Sequence, residues 1–208
     1  MAEQPYLDFY AKQGAQLVSR DVGDTDRFFR ARECLYITLG ISPALLKGKS
    51  VIEFGPGTGH NALYTDQLGP SRFVLVDGGS EILAASEKRL MANGCQQVER
   101  EFVCSTFDEY KSTELFDLVI AEGCIPNQES PVDLFKKLQR YVKPGGLMLF
   151  TTVSSVSWLS EIVRRLAKNS IDPASISINE HVSILIPKFR DHFDALKNMA
   201  RTPEEWIL

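Results

Sequence analysis

A chain of 208 residues, 44% of them hydrophobic, carries enough apolar material for one ordinary domain, with or without an appendage. Its formal charge of −4 argues against a sequence-independent grip on nucleic acid. The cysteines Cys34, Cys95, Cys104 and Cys124 are far apart and form no CxxC pair, and the histidines are dispersed, so no metal site is expected. Reduced thiols in a cytoplasmic protein are the plain reading.

The N-terminus "MAEQPYLDFY" is acidic and has no apolar signal core. The stretch "GLMLFTTVSSVSWL" is too short and too rich in Ser and Thr to span a bilayer, so no membrane association is expected. Tyr6, Phe9 and Tyr10 sit in a segment of weak periodicity, suited to packing on a sheet or to closing over a ligand. Asp24 is placed to cap a helix whose apolar positions Phe28, Ala31, Leu35 and Leu39 share one face. Arg30 and Arg32 on that helix read as solvated, with pairing to an anionic substrate as the other reading. Gly40 and Pro43 end the pattern.

Val51–Phe54 reads as a buried strand, followed by a glycine turn and a helix over Asn61–Leu68, closed by Gly69 and Pro70. "RFVLVD" is a second strand, ending at Asp77, and a helix then runs to about Asn93, with Gly94 at its end. "EFVCS" and "FDLVIAE" make a third and a fourth strand. Ser130, Pro131 and Asp133 mark a helix start, and Leu134, Leu138, Tyr141 and Val142 its buried face. "KPGG" turns the chain into a fifth strand, "LMLFTTV". "SWLSEIVRRLAK" reads as a helix, "HVSILIPKF" as helix or strand, and "FRDHFDALKNMARTPEEWIL" as mostly helical.

Strands alternating with helices predict an α/β fold with a parallel sheet and helices on both faces. Ligands of such sheets bind beyond the carboxyl ends of the strands. The residues to inspect are therefore 55–60, 77–80, 104–107 and 122–128. The most informative stretch is "VIEFGPGTGHNALY". Gly55, Gly57 and Gly59 give GxGxG around Pro56, whereas the dinucleotide fingerprint GxGxxG would place a glycine where His60 stands. Glu53 precedes the turn, and Asp77, one strand later, can accept both hydroxyl hydrogens of a ribose.

These motifs resemble those of the class I S-adenosylmethionine-dependent methyltransferases. "VIEFGPGTG" is similar to their first motif and "FVLVDGGSEIL" to their second. "FDLVIAEG" resembles the strand before the reaction site, and "LQRYVKPGGLMLF" the late helix, turn and strand. "RARECLY", "GPGTGHNALYT" and "VIAEGCIPNQ" further resemble a bacterial group of these enzymes with no assigned acceptor. The resemblance implies a Rossmann-like, doubly wound sheet of at least five parallel strands in the order 3-2-1-4-5. An N-terminal helical cap (1–45) would precede the core (46–153), and a mostly helical C-terminal segment (154–208) would follow it. The family's sheet ends in an antiparallel hairpin that has no visible counterpart here. The expectation is that helices replace it or that the 208 residues are a fragment.

The resemblance also implies roles. Gly55, Pro56, Gly57 and Gly59 would form the loop against the cofactor's methionine and ribose, with Glu53 orienting the loop or reaching the ammonium group through water. Asp77 would hold the ribose hydroxyls, with Gly78 and Gly79 beside the adenosine. Ser105, Thr106 and Phe107 would lie at the adenine. The acidic residue common in that region has Asp108 as its nearest match. Glu122 and Gly123 would lie near the methyl group, with Asn127 and Gln128 toward the substrate.

Methyl transfer from a cationic sulfur needs alignment more than a metal, and a base only for a protonated acceptor. His60, at a helix start, and Glu122 are the candidate catalytic residues. His181 and His192 are expected at the surface. "IPNQ" does not match the Asn-Pro-Pro-Tyr/Phe motif used for amino-group acceptors in nucleic acids and proteins. The expected reaction is methylation of a small-molecule or biosynthetic-intermediate acceptor, with oxygen favoured, leaving S-adenosylhomocysteine. A cofactor-binding module without catalysis and an NAD-dependent oxidoreductase are the alternatives.

Overall fold

The computed structural model describes residues 24–126, 128–170 and 178–195. The aromatic residues Tyr6, Phe9 and Tyr10, Asn127 and the terminal Trp-Ile-Leu lie outside the described residues. The chain divides into two compact units, Met1–Thr152 and Val153–Leu208.

The first unit runs α1 (Thr25–Thr38), β1 (Ser50–Phe54), α2 (His60–Gln67), β2 (Arg72–Asp77), α3 (Ser80–Asn93), β3 (Glu99–Cys104), β4 (Phe116–Ala121), α4 (Pro131–Leu138) and β5 (Val142–Phe150). The strands form one five-stranded sheet in the order β3-β2-β1-β4-β5, and every pairing is parallel. The expected strand order therefore holds. Both faces of the sheet are covered, which is why its strands read as near-continuous apolar runs. Val51, Leu75 and Leu118 pack with Tyr36, Ala62 and Leu90 under α1, α2 and α3. Ile52, Phe54, Val76 and Val119 pack on the other face with Phe107, Tyr110, Leu134 and Tyr141.

Helix α1 does not bury the predicted stripe. Ala31, Leu35 and Leu39 are exposed, and the inward face carries Phe29, Arg32 and Tyr36, spaced i, i+3, i+7. Arg32 is thus a buried side chain and not a solvated one. The reason is chemical: Arg32 forks onto Glu122, and Tyr36 shares a hydrogen bond of 2.9 Å with Thr65 of α2. Polar pairing at the sheet edge outweighs the aliphatic pattern that the sequence displays.

Smaller departures have local causes. Gly59 takes the cap position of α2 in the left-handed region, so the helix begins at His60, one residue early. Strand β5 starts at Val142 and includes "KPGG" within a register shift against β4, so Val142 belongs to the strand. Ser130 donates to the Asp133 carboxylate at 2.7 Å and makes no side-chain cap bond to a backbone amide.

Polar clasps close the amino ends of the strands. Asp117 of β4 accepts from the Ser50 amide, the Ser50 hydroxyl and Lys143 Nζ, all at 2.9 Å. These bonds hold its carboxyl down at about 2, against the opposing effect of burial. Arg72 of β2 meets Glu99, Glu101 and Glu114. Between α2 and β3, the fully buried Asp66 receives Arg100 at 2.7 and 2.9 Å and the Cys95 amide at 2.6 Å.

The second unit holds α5 (Ser155–Asn169) and α6 (Ile178–Ala195). "HVSILIPKF" is thus helical, with Pro187 inside α6 and Val182 and Leu185 buried. His181 and His192 fall on α6. No helix among the described residues is long and apolar enough to cross a membrane.

Gly59 offers a test of the packing beneath the turn. Its φ is 81°, and a Cβ there would stand 2.6 Å from Ser86 Oγ and 3.0 Å from Ser86 Cα. Left-handed strain and overpacking together predict that Gly59→Ala costs about 2–4 kcal/mol. Urea denaturation of the two proteins checks this. A loss below about 0.5 kcal/mol, within the usual range of surface substitutions, would mean that α3 yields freely under the turn.

Candidate functional site

The carboxyl ends of β1, β2 and β4 converge on one edge of the sheet. The turn after β1 holds Gly55, Gly57 and Gly59 at φ of 71°, 57° and 81°. Three left-handed glycines in five residues fold the chain back on itself before α2, with the Gly55 amide bonded to Val76 O at 2.9 Å. A Cβ on Gly55 would come within 3.1 Å of Cys124 Cβ and 3.3 Å of Phe107 Cζ, so the turn is closely backed by the residues after β3 and β4.

Asp77 ends β2, and the amides of Gly57 and Gly79 hydrogen-bond its carboxylate, Gly79 at 2.9 Å. Burial pushes this carboxyl up, and the two amides oppose that rise. The glycine turn and the second strand's acid are thus one assembly, with Gly78 between the aspartate and the start of α3.

After β3, the Ser105 amide donates to Asp77 O at 3.0 Å and the Ser105 hydroxyl to Thr106 O at 3.0 Å. The Thr106 hydroxyl donates to Glu109 at 2.9 Å. Phe107 is buried edge-on against Phe54, with ring centroids 5.9 Å apart. Asp108 is instead engaged at the surface by Lys137 at 3.1 Å. After β4, Gly123 has φ 74°, and its amide donates to Thr151 Oγ1 at 2.6 Å.

The least expected feature is a buried charged cluster. Arg32 Nη1 and Nη2 donate to Glu122 Oε1 and Oε2 at 3.1 and 2.7 Å, a bidentate pair with both side chains under 10% exposed. Asn61 Nδ2 adds a bond to Glu122 Oε2 at 3.1 Å. Arg32 also lies 5.3 Å over the Tyr36 ring. Glu53, 2% exposed, faces the same pair. Burial, then the charge of Glu122, push its carboxyl up to about 8, against the pull of Arg32. Glu53 Oε2, Asn61 Oδ1 and Arg32 Nε are buried and without hydrogen-bond partners.

His60 opens α2, and its Nδ1 lies 2.9 Å from Thr58 Oγ1. His60 lines a cleft of about 250 Å³ together with Phe28, Phe29, Leu63 and Arg89. Glu122, in contrast, is taken up by Arg32 and by Asn61, the residue after His60. The turn glycines, Glu53, Asp77 and Glu122 are therefore gathered at one sheet edge. Arg32 and Asn61 join them, although the sequence reading gave neither a place in the cofactor site. Their signal was present only as the spacing of Arg32 and Tyr36 with Phe29 on one helical face, and as Asn61 following the turn.

The family described as "Methyltransferase domain" matches residues 27–189. The chain belongs to this methyltransferase-domain family. Among curated relatives, the malonyl-[acyl-carrier protein] O-methyltransferase of Marinomonas sp. (strain MWYL1) is 30% identical over 109 residues, 51% of this chain and 39% of that protein. The tRNA U34 carboxymethyltransferase of Hydrogenovibrio crunogenus (strain DSM 25203 / XCL-2) is 28% identical over 119 residues, 54% of this chain and 35% of that protein. The match thus spans well under half the length of these relatives. Among solved structures, coclaurine N-methyltransferase bound to N-methylheliamine and S-adenosylhomocysteine aligns with a TM-score of 0.50 at 18% identity, covering 64% of this chain and 38% of that one. At that identity the likeness concerns the fold. It agrees with a methyltransferase-type Rossmann-like sheet in the order 3-2-1-4-5.

Proposed function

We propose that this methyltransferase-domain chain binds S-adenosylmethionine at the carboxyl edge of the sheet and transfers its methyl group to a small-molecule or biosynthetic-intermediate acceptor, with an oxygen acceptor favoured. The observation that carries the reading is the joint assembly of left-handed glycines, Asp77 and the buried Glu53 at the ends of adjacent strands. The residues fit such a cofactor on their own chemistry. Asp77 is a partly buried carboxyl at the β2 end, suited to vicinal hydroxyls. Glu53 presents a buried oxygen with no partner, which suits a cationic donor.

Bound S-adenosylmethionine supplies a methyl group already activated on a positively charged sulfur. The chain's part is positioning. Asp77 would hold the ribose, the turn from Gly55 to Gly59 the methionine end, and Ser105, Thr106 and Phe107 the adenine side. Glu122, fixed by Arg32 and Asn61, orients what lies beside it. His60 is the group we assign to an acceptor's proton when the acceptor arrives protonated. The O-methyltransferase named above supports the choice of oxygen, while the tRNA-directed relative marks how widely acceptors vary among similar chains.

Thermal unfolding with S-adenosylhomocysteine or NAD tests the cofactor. At a hundred times its Kd, a ligand adds about 2.7 kcal/mol of stability, a readily measured rise in Tm. The expected result is a rise with S-adenosylhomocysteine and none with NAD; the reverse would overturn the reading. Incubation with a labelled methyl donor and cell extract tests the transfer. Tight cofactor binding with persistent absence of labelled product would reassign the chain as a binding module.

A further inference from the structure

The cluster at the end of β1 brings two carboxyls, Glu53 and Glu122, to one guanidinium. Glu122 takes both terminal nitrogens of Arg32, and among the described residues no cation forms an ion pair with Glu53. A carboxylate buried to this degree beside a like charge is held neutral, with its proton on. The atoms without partners say what would change that. Glu53 Oε2 and Asn61 Oδ1 are both buried without hydrogen-bond partners, and once its proton has gone Glu53 becomes, like Asn61 Oδ1, an acceptor lacking a donor. An ammonium group, three donors on one positive charge, supplies the donors such acceptors lack and the positive charge an ionised Glu53 needs.

We infer that seating a ligand's cationic, donor-bearing end against Glu53 and Asn61 expels the proton from the Glu53 carboxyl, so that this chain takes up its cofactor with release of one proton to solvent. The inference rests on S-adenosylmethionine binding as proposed above. The O–H bond of Glu53 breaks, its electron pair stays on the carboxylate, and the incoming positive charge replaces that of the departing proton. Among the described residues, no other group facing Glu53 is placed to do this. From α1 these are Arg32 and Tyr36, and from the segment after β4 they are Glu122 and Cys124; the neutral Asn61 of α2 is bonded to Glu122. Burial pushes Tyr36 and Cys124 both up to about 12, so neither titrates near neutrality. Arg32 stays charged, its guanidinium raised by Glu122 despite burial.

The test is calorimetric titration with S-adenosylmethionine between pH 5.5 and 7.0, in two buffers of different ionisation enthalpy. The wild type should bind about thirtyfold more tightly at the upper pH than at the lower, the slope of one linked proton. The apparent enthalpy should differ between buffers by the amount for one proton released. Glu53→Gln keeps shape and neutrality and should bind with neither pH slope nor buffer dependence. 5′-Methylthioadenosine, which lacks the amino-acid end, should bind the wild type with a flat pH profile. Wild-type affinity constant within twofold across the range, or a slope that persists in Glu53→Gln, overturns the inference. The buffer comparison needs only the wild type, so the idea stays testable even with a variant that folds poorly. If neither S-adenosylmethionine nor methylthioadenosine binds at any pH, the cofactor assignment itself fails, a distinct outcome.

Discussion

Replacing Arg32 by methionine should destabilise the protein by about 3–5 kcal/mol, the typical cost of removing one partner from a buried ion pair. The variant leaves Glu122 a buried carboxylate beside Glu53, with the Asn61 amide as its remaining partner among the described residues. Two observations raise the expected loss above that of an ordinary surface pair. The pair is bidentate with side chains 8% and 9% exposed, so solvent screens it little. Arg32 also packs over the Tyr36 ring, so truncation loosens the inward face of α1. Removing both partners, as Arg32→Met with Glu122→Leu, should cost far less than the single change, because no uncompensated charge is then buried. Urea denaturation of the single and double variants forms the required cycle. A single-variant loss below about 0.5 kcal/mol would show the pair to be as weak as an exposed one.

Asp77→Ala should weaken S-adenosylhomocysteine binding by about a hundredfold, on the proposed assignment of Asp77 to the ribose. A hydrogen bond to a charged group contributes about 1.5–3 kcal/mol, and two hydroxyls are at stake. Even the low end of that range gives about two decades in Kd. Folding should survive. Burial raises the Asp77 carboxyl, so its removal relieves a desolvation cost that offsets the lost bonds from Gly57 and Gly79. Calorimetry for the affinity and urea denaturation for stability separate the two effects. Binding within threefold of wild type would place the nucleoside away from β2.

The core strands were legible because a sheet covered on both faces writes itself as apolar runs, such as "VIEF", "RFVLVD" and "FDLVIA", bounded by glycine turns. The turn around Gly57 and the acid at Asp77 were legible because left-handed backbone and a strand-end carboxylate leave few residue choices. The role of α1 was not. Periodicity weighs aliphatic residues, and it selected Ala31, Leu35 and Leu39, which the structure leaves exposed. The true inward face depends on Arg32 finding Glu122, ninety positions away in the chain. No local pattern encodes that partner. For the same reason Glu53 was legible as a motif residue but not as one of two acids competing for a single cation.

The two ends of the sheet are built on opposite principles. At the amino edge, Asp117 binds Ser50 and Lys143, and Arg72 gathers Glu99, Glu101 and Glu114. At the carboxyl edge, polar atoms of Arg32, Glu53 and Asn61 are left unsatisfied. Local opening follows such a gradient, since few secured contacts mean a low free energy of opening. Hydrogen exchange is expected to find amide protons near Ser50 and Asp117 slower than those of the glycine turn. On that expectation the amino edge keeps the strands in register while the opposite rim reorganises around a ligand bound as proposed.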